Sequence, residues 1–294
     1  NRSGGYDAVE SVRMMSEAKN CVFLSMGGNF LSAMSDTKAT ADSLNSCSLT
    51  VQISTKPNRS HLITGKTALI LPCLGRSEID RSGTKNQFVT VENSMGVVHM
   101  SKGRARPASN NILSEPSIVS GIAESLEEII GDSGIRWKWL SEDYNRIRDC
   151  IEETIPGFED YNSRCVQDGG FYLPNPPRDS LEFNTESGKA KFVPNNLSST
   201  IARDGLFIMM TIRSHDQYNT TIYGTEDRYR GISGGRRVVF MSKSDMDANG
   251  WKDLQVVNLT SHFKDKTIFS EGWYIFEYDI PPGNIATYFP ESNI

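Results

Sequence analysis

The fold of this chain is indicated first by residues 21–29, which read CVFLSMGGN. The first six residues form an apolar run of strand length, and the run ends at Gly27 and Gly28. A helix is predicted just upstream, over residues 6–18. One face of that helix carries Val9, Val12 and Met15. A helix, a buried strand and a glycine loop in this order are typical of an α/β unit.

The same alternation continues downstream. Asp36 is a predicted N-cap for a helix that reaches Leu44. Apolar strands are predicted over residues 49–54 and 67–72. Short apolar strands that alternate with helices predict a parallel sheet covered on both faces.

A hairpin and two helices are predicted next. The strands of the hairpin span residues 87–91 and 97–100, and a turn at 92–96 joins them. Ser114 and Pro116 start a helix, and a second helix is predicted from 141 to 154. The positions expected to be buried on the first helix are Ile118, Ile122, Leu126 and Ile129.

A Pro-rich stretch at residues 172–177, YLPNPP, marks the predicted domain boundary. We expect an α/β domain over residues 1–180 and a small β-barrel domain over 181–294, which gives the fold class α/β plus β. One short helix is predicted at 244–248. The predicted strands of the second half are 187–192, 206–212, 237–241, 254–259 and 273–279.

Composition excludes several classes of protein. The chain has 294 residues, a net charge of −5, 37% hydrophobic and 23% charged residues, which is enough for a packed core. The acidic balance argues against nucleic acid as a partner, and no apolar run has the length of a membrane span.

The five cysteines predict buried thiols in a cytoplasmic protein. Their number is odd and no C-x-x-C spacing occurs, so a disulfide scaffold or zinc ribbon is not expected. The first residues, NRSGG, contain neither an initiator Met nor a signal-peptide pattern. We therefore expect a fragment of a longer protein or a trimmed chain.

Three polar stretches follow predicted strands and are candidate binding loops: residues 27–29, 54–61 and 213–221. Each could also be an ordinary turn or solvated loop. Residues 65–67 read GKT, but the first glycine of a phosphate loop is missing and a strand follows instead of a helix. Neighbouring Ser214, His215 and Asp216 do not predict a catalytic triad, and the four scattered histidines do not predict a zinc site.

Taken together, these stretches make the chain resemble the molybdopterin oxidoreductases of the dimethyl-sulfoxide-reductase superfamily, in their formate-dehydrogenase-alpha-like branch. The resemblance covers nearly the whole chain. The residues that carry it are 27–33, 54–62, 68–76, 88–96, 213–221, 227–231 and 288–293.

This resemblance implies two domains around a bis-molybdopterin guanine dinucleotide that holds molybdenum or tungsten. The first domain would be the C-terminal part of an α/β cofactor domain, and the second a double-psi β-barrel. Domains upstream in the same polypeptide would supply the protein ligand of the metal and, where present, a [4Fe–4S] cluster. The implied chemistry is two-electron oxidation or reduction at the metal, with an electron-transfer partner. We expect this chain alone to be inactive, because it supplies cofactor contacts and no metal ligand.

The resemblance also implies cofactor contacts, although it assigns no catalytic residue within this chain. They fall at the strand ends near a guanine dinucleotide arm, in the hairpin turn near a pterin, in the barrel loop, and near the end of the chain. In that order they are Gly28, Asn29, Ser54 and Thr55; Glu92, Asn93 and Ser94; Arg213, Ser214, Gln217, Tyr218 and Asn219; and Asn293. Arg59 and His61 are further expected contacts. Guanidinium and amide groups suit pyrophosphates and pterin edges, which are rich in hydrogen-bonding atoms.

Two other readings of the sequence stay open. The chain could be a self-standing module that binds a nucleotide or another small ligand. It could also be a scaffold that kept the fold and lost the cofactor.

Overall fold

The computed structural model describes residues 5–82, 85–196, 205–263 and 265–293. The chain forms two compact units. The first contains Asn1–Gln52, Pro57–Leu69 and Asn196–Ile294, and the second contains Ile53–Lys56 and Ile70–Asn195. The domain boundary after residue 180 stays a prediction.

The elements of the chain follow in order. The helices are α1 Ala8–Glu17, α2 Phe30–Ala33, α3 Thr37–Ser46, α4 Glu115–Ile130, α5 Trp137–Glu142, α6 Tyr144–Thr154, α7 Tyr161–Arg164, α8 Pro176–Asp179 and α9 Lys243–Asn249. A 3₁₀ turn spans Arg59–Leu62. The strands are β1 Val22–Met26, β2 Leu49–Ser54, β3 Thr67–Pro72, β4 Val89–Glu92, β5 Val97–Ser101, β6 Phe171–Tyr172, β7 Ile208–Ile212, β8 Gln217–Tyr218, β9 Thr221–Ile222, β10 Val238–Met241, β11 Val256–Phe263, β12 Lys266–Glu277 and β13 Asn284–Tyr288.

The sheet with the order β1-β2-β3 confirms the predicted parallel arrangement. The predicted cover on both faces was wrong for the described residues, because Val22, Leu24 and Met26 of β1 are exposed. Strands β1 and β2 start side by side, since the Ser48 N–H donates to the Cys21 carbonyl at 2.8 Å. The predicted N-cap is also confirmed: the Asp36 side chain accepts from the Ala39 N–H at the start of α3. Helix α3 packs on α1, where the Ser43 hydroxyl donates to the Val12 carbonyl at 2.8 Å.

The last part of the first unit is a five-stranded mixed sheet with the order β11-β12-β10-β13-β7. Central strand β10 is parallel to β12 and antiparallel to β13, and all four of its residues are buried. Val239 packs with Trp273 and Ile275 on one face, and Phe240 packs with Tyr288 on the other. Burial of both faces explains why β10 is continuously apolar. The two sheets fit an α/β plus β-barrel architecture.

The second unit contains the predicted hairpin, β4–β5, with β6 added at the edge of β5. Its core includes Val98, Tyr161, Cys165 and Phe171. The N-terminus of α4 is capped as predicted, because the Ser114 side chain accepts from the Ser117 N–H.

Three sequence-based predictions were wrong. Residues 187–192 contain no strand. The helix predicted over 141–154 is two helices separated at Asp143, whose side chain caps α6 by accepting from the Asn145 N–H. Leu126 and Ile129 of α4 were expected to be buried, but they are 47% and 81% exposed. Among the described residues, other elements cover the apolar face of α4 only in its N-terminal half, where Ile118 is buried.

The core of the five-stranded sheet provides a stability test. Truncating the fully buried Ile275 to Ala leaves a cavity, and we expect Ile275→Ala to lower the free energy of unfolding by about 2–5 kcal/mol. Ile268→Ala removes the same atoms from a more exposed position on the same strand, and we expect a loss of about 1 kcal/mol. Urea denaturation measures both values, and equal losses would contradict this account of the core.

Candidate functional site

The loop after β1 leaves open space beside its backbone. Gly27 and Gly28 have φ angles of +65° and +72°, in the left-handed region that favours glycine. A Cβ atom at either position would meet no other atom within 4 Å. A ligand can therefore approach the peptide groups of this loop closely, as the sequence predicts for a strand-end site.

The 3₁₀ turn is hydrogen-bonded to this loop. The Asn58 side chain caps the turn by accepting from the Ser60 N–H at 3.0 Å, and its Nδ2 donates to the Gly28 carbonyl at 2.7 Å. The buried Ser60 hydroxyl donates to Asn29 Oδ1 at 3.2 Å and accepts from the Leu31 N–H at 2.9 Å. These bonds hold the two segments together as one site, which we call the strand-end site (residues 27–29 and 58–61).

His61 brings an unpaired donor to the strand-end site. His61 is 9% exposed. Its Nδ1 accepts from the Asn58 N–H at 3.0 Å and lies 3.2 Å from Asn58 Oδ1. A nitrogen that accepts carries no proton, so the neutral ring carries its proton on Nε2. That Nε2 is buried and has no hydrogen-bond partner among the described residues. A buried donor without an acceptor costs about 1–3 kcal/mol, so an acceptor from a ligand would be stabilised here.

Sequence reasoning missed the residues that build the strand-end site. The sequence places Asn58 and Ser60 in the polar stretch 54–61 but predicts no role for either. Gln52, which is buried in β2, donates to the Ser60 carbonyl at 2.7 Å. The available signal was the one amide side chain, that of Gln52, in the strand sequence LTVQIS. Arg59, a predicted contact, is exposed on the turn.

The glycine of the GKT sequence has a packing role. A Cβ atom at Gly65 would lie 2.5 Å from the Cys47 carbonyl oxygen. The Lys66 N–H donates to the same oxygen at 3.0 Å, and β3 begins at Thr67. The close approach of two backbones, and not a phosphate, accounts for glycine at this position.

Asn293 holds two parts of the first unit together. Its Nδ2 donates to the Ser32 carbonyl at 2.7 Å and also to the Met34 carbonyl. Its own carbonyl accepts from the Thr37 hydroxyl at 3.3 Å. Both amide hydrogens of this predicted pterin contact are therefore engaged within the protein.

The loop at residues 213–219, the barrel loop, is organised by Arg236, which sequence reasoning also missed. This guanidinium is 7% exposed and forms a bidentate pair with Glu291 at 2.6 and 3.0 Å. It also donates to the Ser214 hydroxyl and to Gln217 Oε1. The polar atoms of Ser214 and Gln217 therefore hold the loop in place.

Three other predicted contacts on the barrel loop have exposed side chains: Arg213, Tyr218 and Asn219. Asn219 has a φ of +51°, and its carbonyl accepts from Gln217 Nε2 at 2.8 Å. His215 packs edge-on against Tyr229, with ring centroids 4.8 Å apart. This loop therefore offers a cation, a phenol and an amide at the surface.

A buried carboxylate lies behind the barrel loop. Asp227 accepts from the Tyr288 hydroxyl and from Arg230, each at 2.7 Å. Burial raises the pKa of Asp227, but the bonds from Tyr288 and Arg230 outweigh burial and hold its pKa below the usual range. Burial and the hydrogen bond to Asp227 raise the pKa of Tyr288. Asp227 is therefore ionised at neutral pH and fixes Arg230, which also donates to the Arg213 carbonyl at 3.2 Å.

The remaining predicted contacts lie in the second unit. The Ser54 hydroxyl donates to the Lys56 carbonyl at 2.7 Å, and Thr55 is exposed. Glu92, Asn93 and Ser94 are exposed in the β4–β5 turn. The Asn93 side chain accepts from the Met95 and Val97 N–H groups, so it stabilises the turn.

The described residues contain no group of three or more His, Cys, Asp or Glu side chains that could hold a metal ion.

None of the helices in the described ranges has the length and apolarity needed to cross a membrane.

Comparison with known proteins gives similar sequences and similar folds. No family model matches the chain. An "uncharacterized oxidoreductase" of Mycobacterium tuberculosis is 44% identical over 298 residues, which are 99% of this chain and 38% of that protein. Protein YdeP of Escherichia coli K12 is 41% identical over 295 residues, 98% of this chain and 38% of YdeP. The chain thus spans about 38% of the length of these curated relatives.

Acetylene hydratase from Pelobacter acetylenicus has a similar structure. The TM-score is 0.52 at 12% identity, over 96% of this chain and 39% of the hydratase chain. This similarity shows a shared fold.

The pair formed by Arg236 and Glu291 gives a second stability test. Glu291→Gln keeps the shape of the side chain but leaves the buried guanidinium without its counter-charge, so we expect a loss of about 1–3 kcal/mol in the free energy of unfolding. Asp247→Asn removes the exposed pair with Lys243 and should cost less than about 0.5 kcal/mol. Urea denaturation of both variants is the measurement, and a neutral Glu291→Gln would show that the barrel loop does not depend on this pair.

Asp227 makes stability depend on pH. A carboxyl whose pKa is lowered on folding contributes stability above its ordinary value of 3.8 and loses that contribution as pH falls through the folded pKa. We expect Asp227→Asn to be less stable than the wild type at about pH 7, and the difference to shrink toward about pH 3.

Denaturant melts at a series of pH values measure this convergence. Asp168→Asn, at an exposed position, is the control and should follow the wild type throughout. A gap between Asp227→Asn and wild type that stays constant with pH would contradict an ionised Asp227.

Proposed function

We propose that this chain is the C-terminal, cofactor-binding portion of a molybdopterin-dependent oxidoreductase of the dimethyl-sulfoxide-reductase superfamily, in its formate-dehydrogenase-like branch. The observation that carries the proposal is the strand-end site, which combines an open glycine backbone with the unpaired donor on His61. Two further facts support it: relatives that are 44% identical are named oxidoreductases, and the family resemblance covers nearly the whole chain.

The donor set of the strand-end site fits a dinucleotide cofactor. Gly28 lets a pyrophosphate approach the backbone without meeting a side chain. The His61 Nε2 proton needs an acceptor, and phosphate or pterin oxygens supply acceptors. Arg59, exposed on the same turn, can add a charge-assisted bond to a phosphate.

The barrel loop fits the same kind of ligand in part. Arg213, Tyr218 and Asn219 have exposed side chains that could hydrogen-bond to a pterin. Ser214 and Gln217 would act indirectly, because Arg236 holds their polar atoms and thereby positions the loop. We assign Asn293 the same indirect role, through its bonds to Ser32 and Met34.

When bound, bis-molybdopterin guanine dinucleotide supplies two-electron redox chemistry at molybdenum or tungsten. The residues of this chain would bind and orient that group. His61 would hold its proton on Nε2 and donate it in a hydrogen bond, while Asn58 keeps the ring in that tautomer. Asp227 would stay ionised and keep Arg230 and the barrel loop fixed.

The proposal includes further domains in the same polypeptide. The chain covers only 38% of its relatives, and β1 exposes Val22, Leu24 and Met26 on one face although parallel strands are normally covered on both. We propose that upstream domains cover this face and supply the metal ligand and any [4Fe–4S] cluster. The isolated chain would then be inactive, and the whole enzyme would exchange electrons with a separate partner.

We further propose that the five-stranded sheet is the double-psi barrel of this family, which would make residues 181–294 its cofactor-closing domain. The support for this is that central strand β10 is paired on both sides and buried on both faces, as the inner strand of a barrel must be.

Metal and pterin analysis of the full-length protein, purified from its own host, tests the proposal. We expect roughly stoichiometric molybdenum or tungsten by elemental mass spectrometry, and about two oxidised pterins per protein by fluorescence. A protein that contains neither, from a host that makes the cofactor, would overturn it in favour of a scaffold or small-ligand module.

A pair of glycine variants tests the strand-end site within the full-length protein. Gly28→Leu places a side chain in the open space beside the loop, and we expect the cofactor content to fall about tenfold, as for a loss of about 1.4 kcal/mol in binding. Gly250→Leu is the matched control, because Gly250 has a φ of +69° and equally open surroundings at the end of α9.

Both glycine variants carry the same backbone strain, so their melting temperatures should fall together. Only Gly28→Leu should lose the cofactor. Equal cofactor contents in the two variants would remove the strand-end site from the proposal.

A further inference from the structure

Two cysteines meet at the start of the parallel sheet. Cys21 directly precedes β1, and Cys47 ends α3 just before β2. The Cys21 carbonyl accepts from the Ser48 N–H at 2.8 Å and from the Leu49 N–H at 3.4 Å. The two cysteines are therefore on adjacent segments of backbone, although 25 residues lie between them in the sequence.

Their side chains are neighbours as well. The Cys47 thiol donates to the Ser43 carbonyl at 3.4 Å, and the Cys21 thiol is near enough to shift the pKa of Cys47. Burial, together with this contact to Cys21, raises the pKa of Cys47 to about 11. Cys47 is fully buried, whereas Cys21 is partly exposed.

The spacing suits a covalent bond. The Cys21 carbonyl is hydrogen-bonded at 2.8 Å to the N–H of Ser48, the residue next to Cys47, and a disulfide spans a Cα separation of about 4.4–6.8 Å. We propose that Cys21 and Cys47 are a redox modification site, a thiol pair that forms a reversible disulfide with a small disulfide oxidant such as oxidised glutathione.

The reaction balances in two exchanges. The partly exposed Cys21, as thiolate, attacks one sulfur of the oxidant, forms a mixed disulfide and releases one glutathione as its thiolate. Cys47 then gives its proton to that thiolate and attacks Cys21 Sγ, which releases the second glutathione as a thiolate that takes up the proton first lost by Cys21. The protein loses two electrons and the oxidant gains them, so two thiols become one disulfide while glutathione disulfide becomes two glutathione molecules.

The bond would tie the start of β1 to the start of β2. Because β1 ends at the Gly27–Gly28 loop, this link would anchor the strand that carries the strand-end site. Closing the chain between the two cysteines also reduces the freedom of the unfolded state, which raises the melting temperature.

Peptide mapping tests the proposal directly on the full-length protein. Trypsin places each of the five cysteines in its own peptide, with Cys21 in residues 20–38 and Cys47 in residues 39–59. After incubation with oxidised glutathione and alkylation of free thiols, we expect these two peptides to be joined, and dithiothreitol to separate them. Glutathione left on Cys21 with Cys47 alkylated would overturn the proposal, as would alkylation of both.

Cys150 supplies the matched control. It is exposed, and no disulfide or thiol contact involves it in the described part of the chain. We expect its peptide, residues 149–164, to carry glutathione and to join no other peptide. Cys150→Ser should leave the link between Cys21 and Cys47 unchanged.

A second variant distinguishes the effect of the Cys21–Cys47 disulfide from the effect of oxidation elsewhere in the protein. Wild-type protein should melt at a higher temperature after oxidation than after reduction, and Cys21→Ser should lose that difference. Cys21 is the residue of choice because it is only partly buried, so its replacement leaves the core around Cys47 intact. A redox-dependent shift of the same size in Cys21→Ser would assign the effect to another group.

Discussion

The burial of the Arg236 guanidinium is the constraint on which the end of this chain depends. A charged group at 7% exposure must be neutralised and fully hydrogen-bonded. Glu291 supplies the charge, and Ser214, Gln217 and the Phe289 carbonyl accept the other donors. One side chain thus joins the barrel loop to the segment after β13, so that neither can move without leaving a buried charge unpaired.

The same requirement distinguishes structural polar groups from those left for a ligand. Asn293, Ser214 and Gln217 have the chemistry of ligand-binding residues, yet their atoms are engaged inside the protein. His61 differs, because its second nitrogen has no acceptor among the described residues. A residue type that suits a cofactor is therefore weak support for binding, whereas an unpaired buried donor beside an open backbone is stronger.

Local patterns predicted many elements well because their causes are local. Asp36 and Ser114 cap helices with their own side chains, which accept from N–H groups three residues away. Prediction was wrong where distant partners decide. Ile129 carries the helical apolar pattern of α4 but is exposed. The helix predicted over 141–154 is divided where Gln87 binds the Glu142 carbonyl and the Tyr144 N–H.

For the candidate site, the sequence by itself determined the glycine loop after β1 and the polar character of the segments that follow the strands. Those properties depend on residue type and on near neighbours. Only the tertiary structure decided that Asn58 and Ser60 bind that loop, that Arg236 holds the barrel loop, and that the Cys21 carbonyl binds the N–H of Ser48 beside Cys47. These pairs are far apart in the sequence, and hydrogen bonds or burial join them only after the strands have paired, so no local pattern encodes them.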